Sequence, residues 1–145
     1  MEKSLIVIAI ALGVVVVIAA ACGSKTGSDG SVSTGKVIKT APVGNLTFTF
    51  SNGTGQLKQG DQEVTLAFTD SSGNAVDAGA VSLNFHMPAM GGMAAMNDAV
   101  TFTTTSTPGV YRGKVNIGMA GEWQAQLAYE GQAGKGKTTF SVTAQ

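Results

Sequence analysis

Short runs of alternating apolar and polar residues fill the sequence from Leu46 to its end, and this pattern constrains the fold more than any other feature. A strand with one face in a core and the other in water has this two-residue period, because successive side chains point to opposite faces. The apolar members of the seven runs are Leu46, Phe48 and Phe50; Val64, Leu66 and Phe68; Val81, Leu83, Phe85 and Met87; Val100 and Phe102; Tyr111, Val115 and Ile117; Trp123, Ala125, Leu127 and Tyr129; and Phe140 and Val142. No run shows the sustained 3.6-residue period of a helix.

Turn-forming residues separate these runs, among them Asn52-Gly53, Ser72-Gly73-Asn74 and Pro108-Gly109. Short strands at close spacing, each with one apolar face, predict two antiparallel sheets packed face to face. We therefore predict an all-β, immunoglobulin-like antiparallel β-sandwich of about seven strands. Trp123 is its predicted core anchor, and its indole N–H requires one buried acceptor.

The first residues of the chain have the composition of an export signal. Leu5 to Ala21 is an apolar or glycine run of 17 residues that follows Lys3 and ends in three alanines before Cys22. The position of Cys22, the only cysteine, resembles a bacterial lipobox, in which the thiol is lipidated and becomes the first mature residue. We predict a lipoprotein signal peptide over 1–21. The alternative is an uncleaved helical membrane anchor, since this length lies at the short end of what spans a bilayer.

After Cys22 the chain is rich in glycine, serine and threonine up to about Gly35, which is typical of a flexible tether. The prediction is a tether over 22–43 and one domain over 44–145. With either form of attachment, the domain lies in the cell envelope outside the cytoplasmic membrane and is held to it at its N-terminal side.

The charge balance of the exported part excludes nucleic-acid binding, and its residue types give no support to catalysis. Eight basic and eight acidic residues follow Cys22, so no basic surface for nucleic acid is expected. The chain has one histidine, and no carboxylate pair lies in an apolar context. The prediction is a non-enzymatic domain that does not bind nucleic acid.

The segment from His86 to Met96 is the chemically distinctive part of the chain, because four of the six methionines lie between positions 87 and 96. Pro88 and the Gly91-Gly92 pair interrupt the strand, so Met90, Met93 and Met96 are predicted to lie on a loop. Strand alternation places Met87 in the core and turns His86 outward, to the mouth of that loop. Thioethers and imidazole together prefer Cu(I), so His86, Met90, Met93 and Met96 form a candidate copper(I) site.

Two other interpretations of the methionines remain open. They can fold back as a lid over the open end of the sandwich, or form an adaptable surface for a protein partner. Met119, in the short segment before Trp123, is predicted to pack rather than bind metal.

The order of several motifs resembles one family. Asp70-Ser71-Ser72-Gly73-Asn74, His86-Met87-Pro88-Ala89-Met90-Gly91, Pro108-Gly109-Val110-Tyr111-Arg112-Gly113 and Met119-Ala120-Gly121-Glu122-Trp123 are similar to the YtkA-like domain and the related FixH-type periplasmic domains. The resemblance covers about residues 44–143. It implies an extracytoplasmic immunoglobulin-like sandwich found near copper-efflux, copper-delivery and oxidase-assembly proteins. The leading expectation is a copper(I)-handling lipoprotein, and the alternative is an adaptor that docks onto a membrane-protein partner.

Overall fold

The computed structural model describes residues 35–145, and the regular elements in that range are β-strands. Their bounds are β1 (Lys36–Val43), β2 (Leu46–Asn52), β3 (Gly60–Thr69), β4 (Ala80–Met87), β5 (Met96–Ala99), β6 (Thr101–Thr104), β7 (Val110–Ile117), β8 (Gly121–Gly131) and β9 (Gly134–Ala144). Within the described range there is no helix long and apolar enough to cross a membrane. The predicted signal peptide, anchor and lipidation residue Cys22 lie outside the described residues.

The strands form two antiparallel sheets, one with the order β1-β2-β3-β7-β6 and the other with the order β5-β4-β8-β9. Aromatic rings join the two sheets in the core. Phe48 of β2 stacks on Phe140 of β9 with ring centroids 4.9 Å apart, and Phe50 of β2 lies 6.0 Å from Phe85 of β4. The predicted all-β antiparallel sandwich is therefore confirmed, and the apolar members of the alternating runs supply most of its buried residues.

Trp123 is fully buried between the sheets, as predicted. Its indole N–H donates a hydrogen bond of 3.0 Å to the carbonyl oxygen of Met119, which lies in the β7–β8 loop. The buried acceptor that the sequence required is thus a backbone group four residues before the tryptophan.

The strand count and the start of the domain differ from the sequence prediction. The structure has nine strands where about seven were predicted, because β1 and β5 were missed. β1 occupies Lys36–Val43 and pairs with β2, so the tether predicted over 22–43 ends earlier and the sandwich begins before residue 44. Both missed strands are at sheet edges, where much of the surface faces water and the apolar alternation is correspondingly weak.

The loops collect at two ends of the sandwich. What we call the methionine end contains the β4–β5 hairpin tip (88–95), the β7–β8 loop (118–120) and the β2–β3 loop (53–59). Strand pairing establishes this grouping, since β9 reaches Ala144 opposite Gly121, and Ala144 also bridges to Leu57. The opposite end contains the β1–β2 turn, the β3–β4 loop (70–79), the β6–β7 loop (105–109) and the β8–β9 turn (132–133).

At the opposite end, a buried tyrosine of β7 contacts the β3–β4 loop. The Tyr111 hydroxyl lies 2.9 Å from Asp77 Oδ1 and 3.1 Å from the Gly79 carbonyl oxygen. Burial, and then the neighbouring Asp77 carboxylate, raise the pKa of Tyr111 to about 12. The backbone N–H of Gly79, together with the Tyr111 hydroxyl, lowers the pKa of Asp77. The pair is a structural tie between β7 and the β3–β4 loop.

Candidate metal centre at the methionine end

The tip of the β4–β5 hairpin is a tight turn flanked by two methionines. Met90 N–H donates to the Met93 carbonyl at 3.2 Å, and Met93 N–H donates to the Met90 carbonyl at 2.8 Å. Gly91 and Gly92 between them have φ values of +51° and +91°. Positive φ at both central residues defines a type I′ hairpin turn, which favours glycine because an L side chain is strained there. The Gly-Gly pair therefore fixes the spacing of the two methionines.

Met90 and Met93 present their thioethers to solvent. Their side chains are 60% and 51% exposed, although methionine is normally a core residue. Residues that exchange both backbone hydrogen bonds stand directly opposite each other, and their side chains project on the same face. The prediction that these two residues lie on a loop is confirmed, and the turn brings them together. Their exposure does not fit a lid over the core.

His86 is half-buried on β4 and is held by a neighbour on β5. Its Nδ1 lies 2.8 Å from Asn97 Oδ1, and Asn97 stands directly opposite His86 in the strand register. Because the amide oxygen only accepts, this hydrogen bond uses the Nδ1–H, and in the neutral ring it leaves the Nε2 lone pair available to a metal. Metal-binding histidines commonly have such a hydrogen bond on the nitrogen that does not bind the metal. Met87 is buried, so the predicted alternation between it and His86 is confirmed.

Met96 takes a different place from the one predicted. It is the first residue of β5 rather than a loop residue, and it stands opposite Met87. It is half-buried, and its methyl group packs so closely on Gly118 that a Cβ added there would lie 2.6 Å from Met96 Cε. Because Met96 stands directly opposite Met87 in the register, its side chain falls on the core-facing side with Met87.

Met90 and Met93 are both exposed at the tip of the same hairpin, whose β4 strand bears His86. The structure thus divides the four predicted ligands into an outward set of His86, Met90 and Met93 and an inward residue, Met96. Met119 is half-buried and packs against the core, as predicted. The lid interpretation therefore describes Met96 and Met119, but not the two methionines of the turn.

The donor chemistry of the outward set is soft and uncharged. Among residues 35–145 there is no group of three or more histidine, cysteine, aspartate or glutamate side chains able to hold a metal ion. Asp98, the acidic residue of β5, accepts a 3.0 Å hydrogen bond from the Gly118 N–H. Two thioethers and one neutral imidazole nitrogen fit Cu(I), which prefers sulfur and nitrogen ligands, better than a hard cation that requires oxygen.

The fold and this hairpin define the class of protein: a two-sheet antiparallel sandwich that exposes methionines on a glycine turn at one end. A family model described as YtkA-like matches residues 40–128, which is more than half of the chain. The chain therefore belongs to the YtkA-like family. Comparison with curated proteins and with solved structures gave no match.

Proposed function

We propose that this protein is a non-enzymatic, extracytoplasmic lipoprotein that binds or transfers copper(I) through Met90, Met93 and His86. One observation carries the proposal: a type I′ turn holds two exposed thioethers together at the tip of the hairpin whose β4 strand also bears His86. Since the backbone fixes this turn before any ligand arrives, little ordering is needed to bring two sulfur donors to one ion. Met96 supports the hairpin from the core side.

The chemistry of the ligands determines how such a site responds to pH. Thioether sulfur does not bind protons in water, so Met90 and Met93 remain competent in acid. His86 would bind through the lone pair of Nε2. Copper, when bound, would be exchangeable with a partner because the turn is open to solvent.

The test compares copper(I) affinity between the native protein and the double variant Met90→Leu, Met93→Leu. Leucine keeps bulk and apolar character at a cost of less than about 1.5 kcal/mol per site, so the domain stays folded. Competition against a chromophoric copper(I) chelator under reducing conditions should show a large loss of affinity. Asn97→Ala, which releases the His86 ring, should weaken binding by about 10–100-fold.

Two single variants are the matched controls. Met119→Leu and Met96→Leu alter methionines that pack at the same end of the sandwich, and both should leave copper(I) affinity unchanged. Equal binding by the native protein and the double variant, or no binding by either, would contradict the proposal. Loss of copper in Met96→Leu would restore Met96 to the ligand set.

Attachment through Cys22 has its own test. Cys22→Ala should leave an unprocessed precursor that keeps the apolar run Leu5–Ala21, because lipidation of the thiol precedes cleavage at this kind of site. Mass spectrometry of the membrane fraction measures both the cleavage and the lipid. Equal processing of variant and native protein would contradict lipidation and leave the uncleaved anchor.

A second function is docking onto a membrane-protein partner, such as an efflux or oxidase-assembly component. The same exposure of Met90 and Met93 favours it, since methionine-rich surfaces adapt to partner proteins. The leucine double variant separates the two functions. It keeps an apolar contact surface, so docking survives, whereas copper binding does not.

A further inference from the structure

The chain enters the sandwich at the methionine end. β1 begins with Lys36 opposite Asn52, the last residue of β2, and Asn52 leads directly into the β2–β3 loop. In that loop the Gln59 side chain donates a 3.1 Å hydrogen bond to the Gly118 carbonyl oxygen, beside which Met96 packs. Gly35, the first described residue, is therefore at the same end of the molecule as the Met90–Met93 turn.

Exposed apolar surface is concentrated at that end. Among residues 35–145 the exposed large hydrophobic side chains are Val37, Met90 and Met93, at 56%, 60% and 51%. Val37 stands opposite Ser51, next to the start of the β2–β3 loop. The hairpin tip, residues 88–95, contains no charged residue, and each of its eight residues is exposed. Val37 lies on edge strand β1, across the sandwich from β5, so only Met90 and Met93 of these three stand together. Soluble domains seldom expose neighbouring apolar side chains without a contact to cover them.

The opposite end of the sandwich exposes polar and acidic residues. Its β3–β4 loop runs from Asp70 through Ser71, Ser72 and Asn74 to Asp77, and its β8–β9 turn exposes Gln132. The backbone N–H of Asn74, the largest influence, lowers the pKa of Asp70, so this carboxylate is charged at neutral pH. The uncharged hairpin tip thus contrasts with the polar and charged loops of the opposite end.

The length of the N-terminal connection favours contact between the methionine end and a membrane. Cys22 precedes Gly35 by 13 positions, so the two can lie at most about 45 Å apart. The 11 residues of β8 extend the sandwich by about 36 Å between its ends. A membrane attachment at Cys22, or at an anchor ending at Ala21, therefore holds the methionine end closer to the bilayer than the opposite end.

We propose that the uncharged hairpin tip, with Met90 and Met93, rests on the lipid bilayer to which the chain is attached. The proposal rests on the membrane attachment proposed above, and it is independent of copper. The basic and acidic residues of the whole chain balance to a formal net charge of zero, so apolar contact, rather than attraction to anionic headgroups, carries the interaction. The proposed copper site then opens toward the membrane and its embedded proteins.

Fluorescent labels at the two ends test this orientation in the full-length lipidated protein, reconstituted without copper in phosphatidylcholine vesicles. Lipidation consumes the thiol of Cys22, so the variants Ala94→Cys and Gln132→Cys each offer one exposed labelling site. Quenching by nitroxide-labelled lipid should be several-fold stronger at position 94 than at position 132, and insensitive to salt. Equal quenching at the two positions would overturn the proposal. The same result is expected if the tip contacts only a partner protein and not the lipid. Partition into a detergent phase measures attachment separately.

Two substitutions of the turn separate this proposal from copper binding. Met90→Asp with Met93→Asp places charge on exposed positions and should reduce quenching at 94 to the level seen at 132. Met90→Leu with Met93→Leu should keep the quenching at 94 while abolishing the copper(I) binding proposed above. Unchanged quenching in the aspartate variant would overturn the bilayer contact, whatever the result for copper.

Discussion

Trp123→Ala is expected to lower the free energy of unfolding by about 3–5 kcal/mol, the usual cost of removing a large aromatic side chain from a core. The ring is fully buried, and its N–H satisfies the Met119 carbonyl oxygen. Alanine leaves a cavity between the sheets and also leaves that carbonyl without its donor. Small domains are stable by only about 5–15 kcal/mol, so the variant should be close to unfolding. Equilibrium urea denaturation measures the change.

Trp123→Phe separates the two contributions. Phenylalanine keeps most of the apolar volume but cannot donate to Met119, so its cost should be near the roughly 1–3 kcal/mol of one unsatisfied buried acceptor. A loss below about 1 kcal/mol in Trp123→Ala would mean that the ring is not a core element.

The central strands were predictable because each has a neighbour on both sides and one face in the core. In β7 and β8 the buried and exposed positions alternate over most of their length, with Tyr111, Val115, Ile117, Trp123 and Leu127 inward. Because these positions are buried, they are occupied by apolar residues, and the two-residue period of the strand is therefore visible in the sequence. Gly113 occupies the inward position between Tyr111 and Val115 and pairs with Val64 within β7.

Two of the four edge strands, β1 and β5, were not predictable in the same way. β1 exposes Lys36, Val37 and Lys39, and its register with β2 shifts between Val37 and Lys39. β5 has four residues, of which Asn97 and Ala99 are exposed. Such strands are held by backbone hydrogen bonds to a single neighbouring strand. These bonds depend little on residue type, so the sequence gives little indication of them.

The sequence predicted the turn of the candidate site but not the placement that depends on strand register. Gly91-Gly92 indicated a turn, and the turn placed Met90 and Met93 together. The separation of Met96 from them, and the hydrogen bond from His86 to Asn97, both depend on the register of β4 with β5. A shift of one residue in that register would exchange the two faces of β5, and only the paired strands determine it.

Gly109→Ala is expected to destabilise the domain by about 2–5 kcal/mol. Gly109 has φ of +81°, a conformation that costs an L residue about 1–2 kcal/mol. A Cβ at this position would also lie 2.4 Å from the Val76 carbonyl oxygen and 2.9 Å from the Val76 nitrogen. Overpacking against atoms that cannot move aside adds about 1–3 kcal/mol. The close approach of the β3–β4 and β6–β7 loops explains why the Pro108-Gly109 turn needs glycine.

Gly73→Ala is the matched control, because Gly73 has nearly the same φ, +83°, but no atom within 4 Å of an added Cβ. It should cost only the backbone strain of about 1–2 kcal/mol. The difference between the two variants in urea denaturation therefore measures the contact with Val76 alone. Equal losses would show that the two loops separate at little cost, and the Tyr111–Asp77 tie beside them would then not hold the opposite end rigidly. A larger loss for Gly109→Ala, with an unchanged denaturant slope, would establish the loop contact as part of the cooperative fold.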